Sequence, residues 1–213
     1  RTAMGLRWSE VQILSPRPFF IVCTDHRQWG APIPGKKIAF SSTVAPLGFI
    51  MSRLDSMIRR LEAQKTCLES AIGLVATFPG PYLELGLGNG RTFDHLRQTA
   101  PDRDIFVFER KPAAHPDCTP DPEFLIEGDF TETLRPALEL IKSKAVLAHC
   151  DIGTGIKVAD EELARQISRD LDALLAVGAV ILSDQPFKKT DWRPLSLPRN
   201  VDSGRYFMYA KTA

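Results

Sequence analysis

The run Glu84-Leu-Gly-Leu-Gly-Asn-Gly90 sets glycines at alternate positions between an apolar segment and a helix-like one. Glycine allows a tight turn and leaves the backbone bare, so a ligand can lie directly against Gly86, Leu87, Gly88 and Gly90. Asn89 and the first amides of a following helix can face an anion. Acidic residues then recur at the ends of apolar runs: Glu84 within the first, Glu109 closing the second, Asp129 after the third and Asp151 after the fourth. Glu109 lies 19 residues beyond Gly90, where a carboxylate can accept hydrogen bonds from both hydroxyls of a ribose. A nicotinamide dinucleotide fits these features too, but its fingerprint would put a third glycine at position 91, and the residue there is Arg91.

Such residues work together only if the chain brings them to one place. Short apolar runs at Tyr82–Leu85, Ile105–Phe108, Phe124–Ile126, Ala145–Ala148 and Ala179–Leu182 read as strands. Helical stretches are expected at Thr92–Thr99, Leu134–Lys142 and Asp160–Val177, the last stopped by Gly178. Lys111–Glu123, with four prolines, reads as a mobile loop. Continuously apolar strands alternating with helices predict a parallel sheet covered on both faces. Trp192–Leu197 and Arg205–Lys211 read as a closing antiparallel hairpin. Ahead of the first strand, Leu54, Met57, Ile58, Leu61, Lys65, Leu68, Ile72 and Val75 recur at spacings of three and four. They predict a cap helix within residues 51–78, packed beside the sheet. The fold class expected is α/β: a Rossmann-like, doubly wound, mostly parallel seven-stranded sheet. Its ligands would bind beyond the carboxyl ends of the strands.

The ordered set "ELGLGNG", "VFER" and "EGDF" resembles the successive motifs of class I S-adenosylmethionine-dependent methyltransferases, over most of residues 82–184. The resemblance implies S-adenosyl-L-methionine as cofactor. Glu84 to Gly90, with Arg91 next to them, would surround its methionine part, Glu109 would hold the ribose hydroxyls, and Asp129 with Phe130 would border the adenine. The sulfonium and ammonium of such a cofactor favour an acidic crevice. In "LAHCDIGTG", after the fourth strand, His149 is the candidate general base, and Asp151 would orient it or contact the cofactor's ammonium. A histidine bonded to backbone at a strand end is the plain alternative.

No metal is expected. Asp151 with Asp184-Gln185 lies roughly where related O-methyltransferases bind a divalent ion, but Gln replaces the usual Asn and His149 falls at the first ligand position. His115-Pro-Asp-Cys118 supplies too few ligands for a site. The four cysteines are scattered and read as reduced thiols. Residues 1–50 hold six Lys and Arg against two Asp and Glu, leaving 21 against 24 in the remainder, which argues against a nucleic-acid substrate. A small-molecule acceptor, no membrane association and a cytoplasmic location are expected, with a homo-oligomer open. Other readings are a non-catalytic protein binding S-adenosylmethionine or its demethylated product, and a nicotinamide-dependent oxidoreductase. Residues 1–50, with five prolines and no periodicity, are read as a poorly structured extension: either a flexible tail or a mis-extended frame with Met51 the natural start.

Overall fold

The computed structural model describes residues 52–213. The expectations placed on residues 1–51, including Met51 as a start and the thiol of Cys23, lie outside that range.

Helix α1 (Arg53–Val75) begins at a reciprocal cap. Ser52 Oγ accepts from the Asp55 amide at 3.0 Å, and Asp55 Oδ2 accepts from the Ser52 amide at 3.2 Å, so two otherwise orphaned donors are satisfied. Strand β1 (Tyr82–Leu85) leads through the glycine turn into α2 (Arg91–Thr99), and β2 (Ile105–Glu109) follows. Two short 3-10 turns, Pro116–Cys118 and Pro122–Phe124, interrupt the proline-rich link to β3 (Leu125–Glu127). A single turn α3 (Phe130–Thr133) comes next, and the expected helix at 134–142 is only the single turn α4 (Ala137–Leu140), separated from α3 by Pro136, which cannot donate within a continuous helix. Strand β4 (Ala145–Cys150), α5 (Lys157–Leu174), β5 (Leu175–Ser183), β6 (Trp192–Pro194) and β7 (Phe207–Lys211) complete the chain.

One seven-stranded sheet results, in the order β3-β2-β1-β4-β5-β7-β6. Strands β1 to β5 pair in parallel, while β7 runs antiparallel to both β5 and β6. The expected sheet and closing hairpin are therefore present, with β7 inserted between β5 and β6. The connection reverses direction between β1 and β4, which puts the carboxyl ends of those two strands at the switch point where α/β sheets bind ligands.

Successive strand residues alternate between two apolar layers. Leu83, Leu85, Phe108 and Ile181 pack with Ile167 and Leu171 of α5, and Tyr82, Val107, Leu147 and Leu182 pack with Cys67 and Leu68 of α1 and Leu96 of α2. Helix α1 is thus one of the sheet-covering helices, and its buried stripe differs from the expected one. Ala63, Gln64, Cys67, Leu68, Ala71 and Val75 face the sheet, whereas Leu54, Met57, Ile58 and Leu61 are exposed. Helix α5 stops at Leu174, three residues before the expected end at Val177. Gly178 is no helix terminator, since it sits inside β5 with φ at 86°. Among the described residues no helix is long and apolar enough to cross a membrane.

Candidate cofactor and active site

The parallel register of β1 and β4 sets Glu84 directly beside His149, and His149 beside Leu182 of β5. Both polar residues point into the layer beneath α1 and α2, and both are wholly buried. His149 Nδ1 bonds Glu84 Oε2 at 2.6 Å, its Nε2 meets the hydroxyl of Tyr206, and Glu84 Oε1 accepts from the Thr92 hydroxyl. A continuous polar chain therefore crosses the sheet from the start of α2 to the residue before β7. Burial opposes a charge on the imidazole, but the Glu84 carboxylate outweighs it, with Asp151 and Asp184 adding, and the ring is held above its ordinary pKa. Burial, reinforced by the same three carboxylates, pushes the Tyr206 hydroxyl well above its usual range. Both ring nitrogens of His149 are engaged and the residue has no exposed surface, so it does not line the neighbouring crevice.

That crevice lies above the chain, between α1 and the glycine turn. Its volume is about 230 Å³, and its walls include Arg60 and Gln64 of α1, Leu87, Gly88, Asn89, Arg91 and Thr92, and Asp151. Gly86 adopts φ of 93°, and a Cβ there would come within 2.3 Å of the Asp151 carbonyl oxygen, so turn and β4 end are packed backbone to backbone. Gly88, at φ of 53°, has open space where its side chain would be.

Glu109 is tied to the same rim. Its Oε2 accepts from the amides of Leu87 at 2.9 Å and Gly88 at 3.1 Å, and its Oε1 accepts from Lys111 N at 3.0 Å. The Gly128 amide donates to the Glu109 carbonyl at 3.1 Å, which sets the tips of β2 and β3 side by side. Asp129 caps α3 there, accepting from the amide and hydroxyl of Thr131 at 3.0 and 2.7 Å, and those bonds hold its carboxyl below the usual range. Asp129 and its half-buried neighbour Phe130 are not among the walls of the crevice. The structure thus gathers Leu87, Gly88, Asn89, Arg91 and Asp151 around one hollow, with Glu109 at its rim. It puts Glu84 and His149 below that hollow and Asp129 and Phe130 at a neighbouring strand tip.

Sequence reasoning missed Arg60 and Gln64. Arg60 Nη2 lies 2.5 Å from Asp151 Oδ1 and 3.6 Å from Asp184 Oδ2, and Gln64 Nε2 donates to Asp151 Oδ2 at 3.0 Å. The available signal was a glutamine inside the buried stripe of an amphipathic helix. Asp184 also accepts from the amides of Ile152 and Gly153, both at 3.1 Å. Burial pushes its carboxyl up, and the Asp151 carboxylate adds to that. Among the described residues no group of three or more His, Cys, Asp or Glu is arranged to hold a metal ion, and exposed His115 caps its own turn through Asp117 N.

The sequence profile of the S-adenosyl-L-methionine methyltransferase family matches residues 51–211. The chain belongs to that family. Its fold is also that of a solved S-adenosyl-L-methionine methyltransferase from Silicibacter pomeroyi DSS-3. The two are 43% identical with a TM-score of 0.71, over 75% of this chain and 98% of that one. A TDP-rhamnose 3'-O-methyltransferase of calicheamicin biosynthesis, CalS11 in its apo form, shares the fold at 19% identity and a TM-score of 0.50, over 82% of this chain and 88% of that one. No curated protein matches. The protein is therefore an S-adenosyl-L-methionine-dependent enzyme, and the readings as a nicotinamide oxidoreductase or a non-catalytic binder fall away. The donor set of the crevice suits this cofactor: the Asp151 carboxylate can meet a cationic group, the Arg60 and Arg91 guanidiniums can meet a carboxylate, and the bare backbone of Gly88 lies open beside them.

Proposed function

We propose that the methyltransferase acts on a small-molecule acceptor brought to the crevice between α1 and the glycine turn. The observation that carries this reading is the crevice itself: about 230 Å³, walled on one side by residues of α1 and on the other by the glycine turn, with Asp151 paired to Arg60 at 2.5 Å. A polyanionic nucleic acid finds little to hold it across residues 52–213, where Asp and Glu outnumber Lys and Arg.

S-adenosyl-L-methionine supplies a methyl carbon already activated on its sulfonium, so the protein's share is alignment and electrostatics. Asp151, backed by Asp184, provides negative charge for the cationic end. Leu87 and Gly88 offer backbone against which the methionine part lies. Glu109 faces the ribose, and Asp129 with Phe130 borders the adenine. His149 acts from beneath as a positioning residue: it fixes Glu84, which in turn holds Thr92 at the head of α2.

Incubation with S-adenosylmethionine labelled in its methyl group and a metabolite extract tests this proposal. Label should appear in low-molecular-weight products, and label confined to protein or nucleic acid would overturn it. For the cofactor side, Glu109→Ala removes a carboxylate that organises three backbone amides. S-adenosylhomocysteine binding, measured by calorimetry, should weaken by about 1–3 kcal/mol.

A further inference from the structure

A second hollow, of about 240 Å³, lies between α1 and α2 next to the crevice, and the two share Leu61, Gln64, Arg91 and Thr92. Helical spacing builds it. Leu61, Lys65 and Leu68 stand at steps of four and three on α1, and Arg91 and His95 stand four apart on α2, so each set projects from one face of its helix. Leu61 and Leu68 contribute to a largely apolar lining. Gln64 and the Thr92 hydroxyl already donate to Asp151 and Glu84. His95 Nε2 is different: it is shielded from solvent and has no hydrogen-bond partner among the described residues, since Glu69 Oε1 stands 3.6 Å away. Lys65 Nζ lies 3.8 Å from that same Glu69 oxygen, whereas Arg91 donates to the Asn89 side-chain amide oxygen at 2.9 Å and has no carboxylate partner among the described residues. The hollow and its edge thus hold two cations against one carboxylate, a net single positive charge.

A buried nitrogen without a partner is costly, and a ligand that accepts a hydrogen bond from it recovers the loss. We propose that this hollow anchors the acceptor of methyl transfer, and that the acceptor is a small monocarboxylic acid with a compact apolar body. The inference rests on the small-molecule reading above and narrows it. The apolar body lies against Leu61 and Leu68, one carboxylate oxygen accepts from His95 Nε2, and Lys65 and Arg91 supply the countercharge. One negative charge matches the excess around the hollow. A phosphate, at nearly two, would overshoot it and be left beside Glu69. The carboxylate serves as the anchor, and the reacting end of the acceptor reaches the crevice past Arg91 and Thr92, which belong to both hollows.

Titration of the isotope-labelled full chain, saturated with S-adenosylhomocysteine, tests the site. The probes are butyrate, hexanoate, benzoate and phenylacetate, and the readout is the magnetic resonance of the His95 imidazole. At least one acid should shift that ring, and the uncharged amide of the same acid should bind about fivefold or more weakly. His95→Leu should weaken the acid by about tenfold, the loss of one charge-assisted hydrogen bond, while its unfolding curve stays like that of the wild type. Should that variant fail to fold, the comparison of acid with amide decides by itself. The inference is overturned by an amide that binds as well as its acid, by a folded variant that binds as well as the wild type, or by acids that all leave His95 unmoved. The labelled-methyl incubation separates it from the reading beneath it. Labelled small molecules retained on an anion exchanger support both. Labelled small molecules that all pass through sink the carboxylate anchor and leave a small-molecule acceptor standing, and label confined to protein or nucleic acid overturns both.

Discussion

Glu84→Ala should destabilise the protein by about 3–5 kcal/mol in urea unfolding, as expected when one member of a buried ion pair is removed and its partner is left without compensation. The carboxylate bonds His149 at 2.6 Å and also receives the Thr92 hydroxyl, and neither Glu84 nor His149 has any exposed surface. Replacing both with leucine should cost clearly less than the two single losses added together, because no orphaned charge then remains. A loss below about 1 kcal/mol for Glu84→Ala would show that the pair is not tightly held in solution. The pair also fixes the sign of a pH effect. The folded imidazole sits above its ordinary value of 6.5 because of Glu84. Its contribution is therefore complete below that value and is lost as the pH rises through the folded one. Unfolding free energy should fall as the solution is made more alkaline in this window, and His149→Gln should flatten the slope.

The second large effect belongs to the turn. Gly86→Ala puts a Cβ at 2.3 Å from the Asp151 carbonyl oxygen, on a residue with φ of 93°. Strain at the backbone and overpacking each cost about 1–3 kcal/mol, so a total of about 3 kcal/mol is expected in urea unfolding. Relief requires β1 and β4 to part at their carboxyl ends, which moves Asp151 away from the crevice, and S-adenosylhomocysteine binding should be lost with it. Gly88→Ala is the informative contrast. Its φ of 53° is left-handed and costs alanine about 1–2 kcal/mol, but the added methyl meets nothing. That variant should lose only this smaller amount of stability, and its affinity should fall because the methyl projects into the ligand's space. Similar unfolding curves for the two variants would show that the turn is not packed against β4.

Much of this architecture was legible locally. Five short apolar strands, the glycine turn and the acidic strand ends sufficed to place a parallel sheet, because each signal lies within a few residues. What escaped depends on pairing at a distance. Glu84 and His149 are separated by 65 positions and meet only through the β1–β4 register, which no local window contains. Read locally, Glu84 is a group facing ligand, and His149 is either a base or a strand-end histidine bonded to backbone. The face of α1 was misplaced because Ala63, Ala71 and Gln64 carry little apolar weight, although they are the residues that let the helix lie close to the sheet. The α5–β5 boundary slipped because Leu175, Ala176 and Val177 suit either element, and Gly178 reads as a helix stop when its positive φ in fact serves an irregular strand. Arg60 escapes notice because nothing near it in sequence reveals the carboxylates it meets.

The insertion of β7 between β5 and β6 has a consequence for the nascent chain. Strand β6 is translated first, yet its neighbour in the sheet is β7 alone, so it must wait unpaired while the free edge of β5 stays open to wrong partners. The same delay leaves the Nε2 of His149 without Tyr206 until that residue leaves the ribosome. Completion of the sheet and closure of the polar chain beneath the crevice thus both wait on the segment that carries Tyr206 and β7.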